Sequence, residues 1–90
     1  MKKHVLVLAR RDHAEAMRVA AGLTIFGHQV SLVFMDRPVA DTAQNRAMAE
    51  LLELSDIAPE TTVAGQDGLP ALSPAELGAR LRAADLVVNV

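Results

Sequence analysis

Ninety residues, 51% apolar and 22% charged, suit one small soluble domain spanning 1–90 and leave no room for a second. A net charge of −2 spread over both signs creates no field to gather nucleic acid or an anionic membrane, and two phenylalanines as the only aromatic residues provide no base-stacking platform. The absence of cysteine removes disulfides, thiolate metal sites and cysteine nucleophiles, and the apolar runs fall short of the ~20 residues that span a bilayer.

The first element in chain order is His4 to Ala9 (HVLVLA), a continuous apolar run rich in β-branched residues. Such a run belongs to a strand covered on both faces. It follows Lys2 and Lys3 and stops at Arg10, Arg11 and Asp12. That is too short for a signal peptide, so a cytoplasmic location is expected. Asp12 opens an Asp-x-x-Glu capping box closed by Glu15, and Gly27 ends the periodic stretch as a helix C-cap. Between them a helix of about four turns sets Ala16, Met17, Ala20, Ala21 and Leu23 toward the core. Gln29 to Met35 (QVSLVFM) is the second buried strand.

The alternation then continues. Asp41 to Gln44 is a second capping box before a helix carrying Ala43, Ala47, Met48, Leu51 and Leu52, which stops before Pro59. Thr61 to Ala64 is a short strand, and Gly65 to Leu72 a loop marked by Asp67-Gly68 and Pro70. Ser73-Pro74-Ala75-Glu76 unites an N-cap serine, a proline at the first helical position and a closing glutamate. The helix it starts uses Leu77, Leu81 and Ala84 as its apolar positions, with Gly78 as a mild defect. Asp85 to Val90 (DLVVNV) is the last strand.

This β-α-β-α-β-α-β order predicts a three-layer α/β/α fold with a mostly parallel sheet of four to five strands, because parallel neighbours need right-handed crossovers. A last strand with an uncovered edge predicts self-association. Ligands of open α/β sheets bind beyond the carboxyl ends of the strands, near helix N-termini. That rim collects Arg10, Arg11, Asp12 and His13 after the first strand, Asp36 and Arg37 after the second, and Gln66 and Asp67 after the third. Arg10, Arg11, His13, Asp36, Gln66 and Asp67 are the candidate ligand-binding set, although polar loops occupy this rim in every such fold.

Each candidate also has a plainer role. Arg10 and Arg11 suit a carboxylate or phosphate but equally pair with Asp12, Asp36 or a neighbouring subunit. A helix N-terminus keeps His13 neutral and able to take or give a proton, while its simplest placement is an exposed first-turn residue. Asp36 sits where dinucleotide-binding folds hold a ribose, yet the loop ARRDHAEA has no glycine to bring amides to a pyrophosphate. Asp12 and Asp36 resemble a receiver-domain acidic pocket, but the third strand ends Val63-Ala64-Gly65 with no aspartate to phosphorylate. His4, His13 and His28 share no ligand spacing, so neither metal nor cofactor is expected. Ser31 and Ser73 lack a nucleophile elbow.

The strand end after VLVLAR, the helix DHAEAMRVAAGLTIFGH, the strand VSLVFMD and the closing TTVAGQDGLPALSPAELGARLRAADLVVNV together resemble the DsrE/DsrF-like family of sulfur-relay proteins. The resemblance covers nearly the whole chain as pattern and includes the final strand preceded by Ala-Asp. It implies a three-layer domain assembled as trimers, hexamers or heteromeric rings, some members carrying a persulfide on a cysteine after the third strand. Here that loop is Gly65-Gln66-Asp67-Gly68-Leu69. A persulfide needs a thiolate, so the chain is expected to resemble cysteine-less members that act by binding a protein partner or a small ligand. Two alternatives stand beside this expectation. One is a small enzyme in which His13 is general acid/base and Arg10 or Arg11 holds an anionic substrate. The other is a nucleotide-binding module of the universal-stress or flavodoxin-like kind.

Overall fold

An uninterrupted apolar run satisfies its backbone and side chains together only in a strand that has neighbours on both edges and layers on both faces. In the computed structural model, which describes residues 3–63 and 69–90, this run is β1, His4–Ala9, and every residue from Val5 to Ala9 is buried. Strand β2, Gln29–Phe34, lies parallel on one side of β1 with Val5 opposite Val30, and β4, Leu86–Asn89, lies parallel on the other with Val5 opposite Leu86. The short β3, Glu60–Thr61, pairs with β2 and completes a four-stranded parallel sheet of order β3-β2-β1-β4.

Side-chain alternation divides the core between the two faces. Val5, Val7, Ala9, Leu32 and Phe34 face helices α1, His13–Ile25, and α2, Ala43–Leu54, meeting Ala16, Met17, Ala20 and Leu52 there. Leu6, Leu8, Val33 and Met35 face the opposite way, toward Leu72 and helix α3, Pro74–Ala83, whose Leu77 packs on them. The result is a three-layer α/β/α arrangement. Among the described residues no helix is long and apolar enough to cross a membrane.

Capping chemistry fixes where the helices start. The Asp12 carboxylate accepts from the Glu15 amide at 3.0 Å, but Glu15 turns to Arg18 instead of closing the box. Gly27, at φ 83°, ends α1 in the left-handed region where a Cβ is disfavoured. The start expected at Asp41 falls one residue later. Thr42 is the N-cap, its hydroxyl accepting from the Asn45 amide at 3.0 Å, because the Asp41 carboxylate is engaged by Arg46. Ser73 caps α3 with both bonds of its box, 3.1 and 3.0 Å.

Two further expectations change. The third strand is Glu60–Thr61 instead of Thr61 to Ala64; the Val63 amide donates to the Thr61 hydroxyl at 3.0 Å, a local turn that takes the backbone out of the ladder. Ala64 lies outside the described residues. So short an edge strand gives α2 little sheet to cover, and only Leu52 of that helix is buried; Ala43 and Ala47 are exposed. In α3, Leu81 is likewise exposed.

Candidate functional site

Asp12 caps α1, so His13 is the first residue of the helix and its side chain is carried back over the strand ends. The expected exposed placement is wrong: His13 is 5% exposed. Its ring meets Phe34 edge to face, with centroids 5.0 Å apart and planes at 61°. Its Nε2 is buried and has no hydrogen-bond partner among the described residues. Burial first, and the Arg37 charge second, lower the imidazole pKa from its ordinary 6.5; the Met35 and Ala9 carbonyls and Asp12 act the other way. The ring is therefore neutral in the fold at neutral pH.

Because α1 and α2 follow parallel strands onto the same face, their N-termini emerge at the same edge of the sheet. Between them lies an open crevice of about 300 Å³, walled by Arg11, Asp12, His13, Arg37, Thr42 and Gln44. Arg37 reaches it through a backbone device. Asp36, at φ 71°, is the centre of a three-residue turn closed by the Arg37 amide on the Met35 carbonyl at 2.8 Å. The chain then doubles back, and the Arg37 guanidinium donates to the carbonyls of Arg10, at 3.1 Å, and Arg11. Asp12 is the one carboxylate in the described lining, and it is already committed to the Glu15 amide.

A second depression, about 310 Å³, lies between the ends of β1 and β4 and is lined by Arg10, Arg11, Asn89 and Val90. The reversal of strand order between β1 and β4 makes this the usual ligand crevice of an open α/β sheet. Several of its polar groups already bond one another. The amides of Arg10 and Arg11 donate to the Val90 main-chain oxygen at 2.8 and 3.0 Å, and the Arg10 Nε donates to Asn89 Oδ1 at 2.9 Å.

The candidate set drawn from sequence is therefore divided. Arg11 and His13 line the α1–α2 crevice; Arg10 turns away to Asn89. Asp36 is exposed and outside the described lining, and its backbone forms the turn that precedes Arg37. Gln66 and Asp67 lie outside the described residues. Sequence reasoning placed Arg37 on the rim without including it in the set, and it missed Thr42, Gln44 and Asn45. The one signal for these three is the Thr42 cap, which the neighbouring Asp41 obscured.

The other histidines are accounted for locally: His4 Nε2 lies 2.9 Å from the Ser31 hydroxyl, and His28 Nδ1 accepts from the Lys3 amide at 3.4 Å. Among the described residues no three His, Asp or Glu side chains gather as a metal ion would require. The chain matches no family model, no curated protein and no solved structure.

Proposed function

We propose that this chain is a non-catalytic binding domain whose ligand sits in the crevice between the N-termini of α1 and α2. The observation that carries this reading is the convergence of two helix N-termini on one cavity of about 300 Å³ with Arg11 and Arg37 in its wall. Helix starts present unpaired amides and a partial positive charge, which makes them binding elements without any catalytic group. Among the described residues, no nucleophile with an adjacent base lines the cavity.

In this reading the domain is a DsrE-like protein that lacks a cysteine in its ninety residues, cannot hold a persulfide, and serves as a binding subunit of a homo-oligomer. Support for self-association comes from apolar side chains left in solvent: Phe26 is 80% and Leu54 85% exposed, and Leu86 on the edge strand β4 is half exposed.

The neutral His13 in the crevice wall favours a second reading, an enzyme using it as general acid/base. Against it stand the burial of Nε2 and the engagement of the Asp12 carboxylate by the helix cap, which leaves no free carboxylate in the described lining to orient the imidazole. The test is an amide-resolved NMR titration of the full chain with a fragment library, together with native mass spectrometry. Shifts clustering on Arg11, His13, Ala14 and Gln44 and a trimeric or hexameric mass support the reading. Shifts confined to the β4 edge refute it, and turnover of a bound fragment that is lost in His13→Gln establishes the enzyme.

A further inference from the structure

The two edges of the sheet are protected differently. The short β3 has its outer side occupied: the Thr61 amide donates to the Pro70 carbonyl at 3.0 Å, and the Leu72 amide to the Thr61 carbonyl at 2.8 Å. At the other edge β4 has no strand beyond it among the described residues. Its sequence, LVVN, holds none of the lysines or prolines with which native folds blunt an open edge. Cover is thin as well. The helix α1 packs on β1 and β2, and α3 on β1; Leu86 is half exposed, and Val87 and Val88 are only partly buried.

Hydrogen bonding shows which groups face the open side. The Val90 amide donates to the Leu8 carbonyl at 3.0 Å and the Arg10 amide to the Val90 oxygen at 2.8 Å, so Val90 turns its peptide groups toward β1. Peptide groups alternate sides along a strand, so Val88 and Leu86 also face β1, while Val87 and Asn89 direct theirs outward. The same alternation puts the side chains of Asp85, Val87 and Asn89 on one face of the sheet.

Opposite charges mark the two ends of this edge. At its start the exposed Asp85 engages one carboxylate oxygen, Oδ2, with the His4 amide at 2.9 Å. At its finish the exposed Arg10 donates from Nε to Asn89 Oδ1 at 2.9 Å, and its two terminal nitrogens have no hydrogen-bond partner among the described residues. An edge with an acid at one end and a base at the other is complementary to itself when a copy runs antiparallel. A parallel copy would set Asp85 against Asp85 and Arg10 against Arg10, and an unrelated strand would have to supply both charges at the same spacing.

We propose that β4 pairs with the β4 of a second copy of this chain, antiparallel about a two-fold axis, joining two four-stranded sheets edge to edge. The charges select the register in which Asp85 lies opposite the second copy's Asn89. Val87 then meets Val87 at the axis and exchanges both backbone hydrogen bonds, each Asn89 amide reaches an Asp85 carbonyl, and Leu86 packs against the second copy's Val88. Each Asp85 carboxylate arrives beside the other copy's Arg10, at the depression of about 310 Å³ between the ends of β1 and β4, which is incomplete without it. This inference rests on the homo-oligomer of the proposed function and leaves the α1–α2 crevice untouched.

The test is native mass spectrometry of the full chain over a range of concentrations, with amide hydrogen exchange read by NMR on the same samples. The expected result is a dimer or a higher even multiple. The Val87 and Asn89 amides should be protected in it and exchange at least tenfold faster on dilution to the monomer, while Leu86 and Val88 stay protected throughout. This pattern needs no variant. Charge exchange adds a second measurement: Asp85→Arg and Arg10→Asp, each checked for folding by circular dichroism, should weaken self-association at least tenfold, because like charges then meet. Mixed together, the two variants should form the mixed dimer, in which both ends again pair arginine with aspartate. Single variants that associate as wild type does, without preference for the mixed dimer, overturn the proposal. An assembly in which the Val87 and Asn89 amides exchange freely overturns the β4 pairing and leaves the homo-oligomer standing on another surface. A monomer at every concentration overturns both, and ligand binding in the crevice is then judged by the fragment titration alone.

Discussion

Replacing His13 by leucine separates a residue kept for a ligand from one kept for the fold. The substitution removes a buried nitrogen that has no partner, a relief of about 1–3 kcal/mol. It forfeits the edge-to-face contact with Phe34, worth about 0.5–1.5 kcal/mol. Leucine fills a comparable volume and is the better helix former by a few tenths of a kcal/mol. The balance favours the variant by about 1 kcal/mol at neutral pH, which in a domain of this size raises Tm by about 4–8 °C. Acid widens the gap. The folded-state pKa of His13 is lowered, so the unfolded chain binds the proton first as pH falls through about 6.5, and wild-type stability drops by at most about 1.4 kcal/mol per pH unit below that value. His13→Leu lacks this loss. Urea unfolding followed by circular dichroism at pH 7.5 and about pH 5 measures both differences. A variant less stable than wild type by more than about 1 kcal/mol at pH 7.5 refutes the reasoning, because it would mean that Nε2 has a partner in the free protein.

Three other substitutions probe the supports of the crevice. Asp36→Gly removes the left-handed strain of a side-chain-bearing residue and should stabilise the fold by up to about 1 kcal/mol in thermal melts; a lower Tm would show that the Asp36 side chain itself supports the turn. Asp12→Ala deprives the Glu15 amide of its acceptor and should cost about 1 kcal/mol in denaturant titration, with faster amide exchange confined to the first turn of α1. Leu52→Ala removes the single fully buried side chain of α2 and should cost about 2–5 kcal/mol. Hydrogen exchange read below the variant's Tm should find α2 the most deprotected element, and an unchanged α2 would show that something other than Leu52 anchors it.

The sheet was legible because β1 and β2 must be apolar on both faces, and that demand is written directly into HVLVLA and QVSLVF. Ser73 was legible because its cap is complete within four residues. The start of α2 was not, since Asp41 and Thr42 are both good caps and only the long-armed pairing of Arg46 with Asp41 decides between them. The third strand failed for a related reason: a threonine hydroxyl bonding its own backbone two residues on has no signature distinct from a threonine in a strand. At the site, sequence located the edge of the sheet and placed Arg11, Asp12, His13 and Arg37 on it, with Arg11 and His13 in the candidate set. It did not find the burial of His13 against Phe34, a contact between residues far apart in the chain, nor the turn at Asp36 that precedes the reach of Arg37 to the first loop.

The peptide units of Arg10 and Arg11 are gripped from both sides: their amides by the Val90 oxygen, their carbonyls by the Arg37 guanidinium. This dipeptide is the partition between the two depressions, and each of its hydrogen bonds polarises the peptide so that the next is strengthened. Loss of the Arg37 contacts would loosen the hold of the first loop on the end of β4, and fraying of β4 would loosen Arg37 in return. The end of β4 and the Arg37 guanidinium thus hold the same two peptide units from opposite sides.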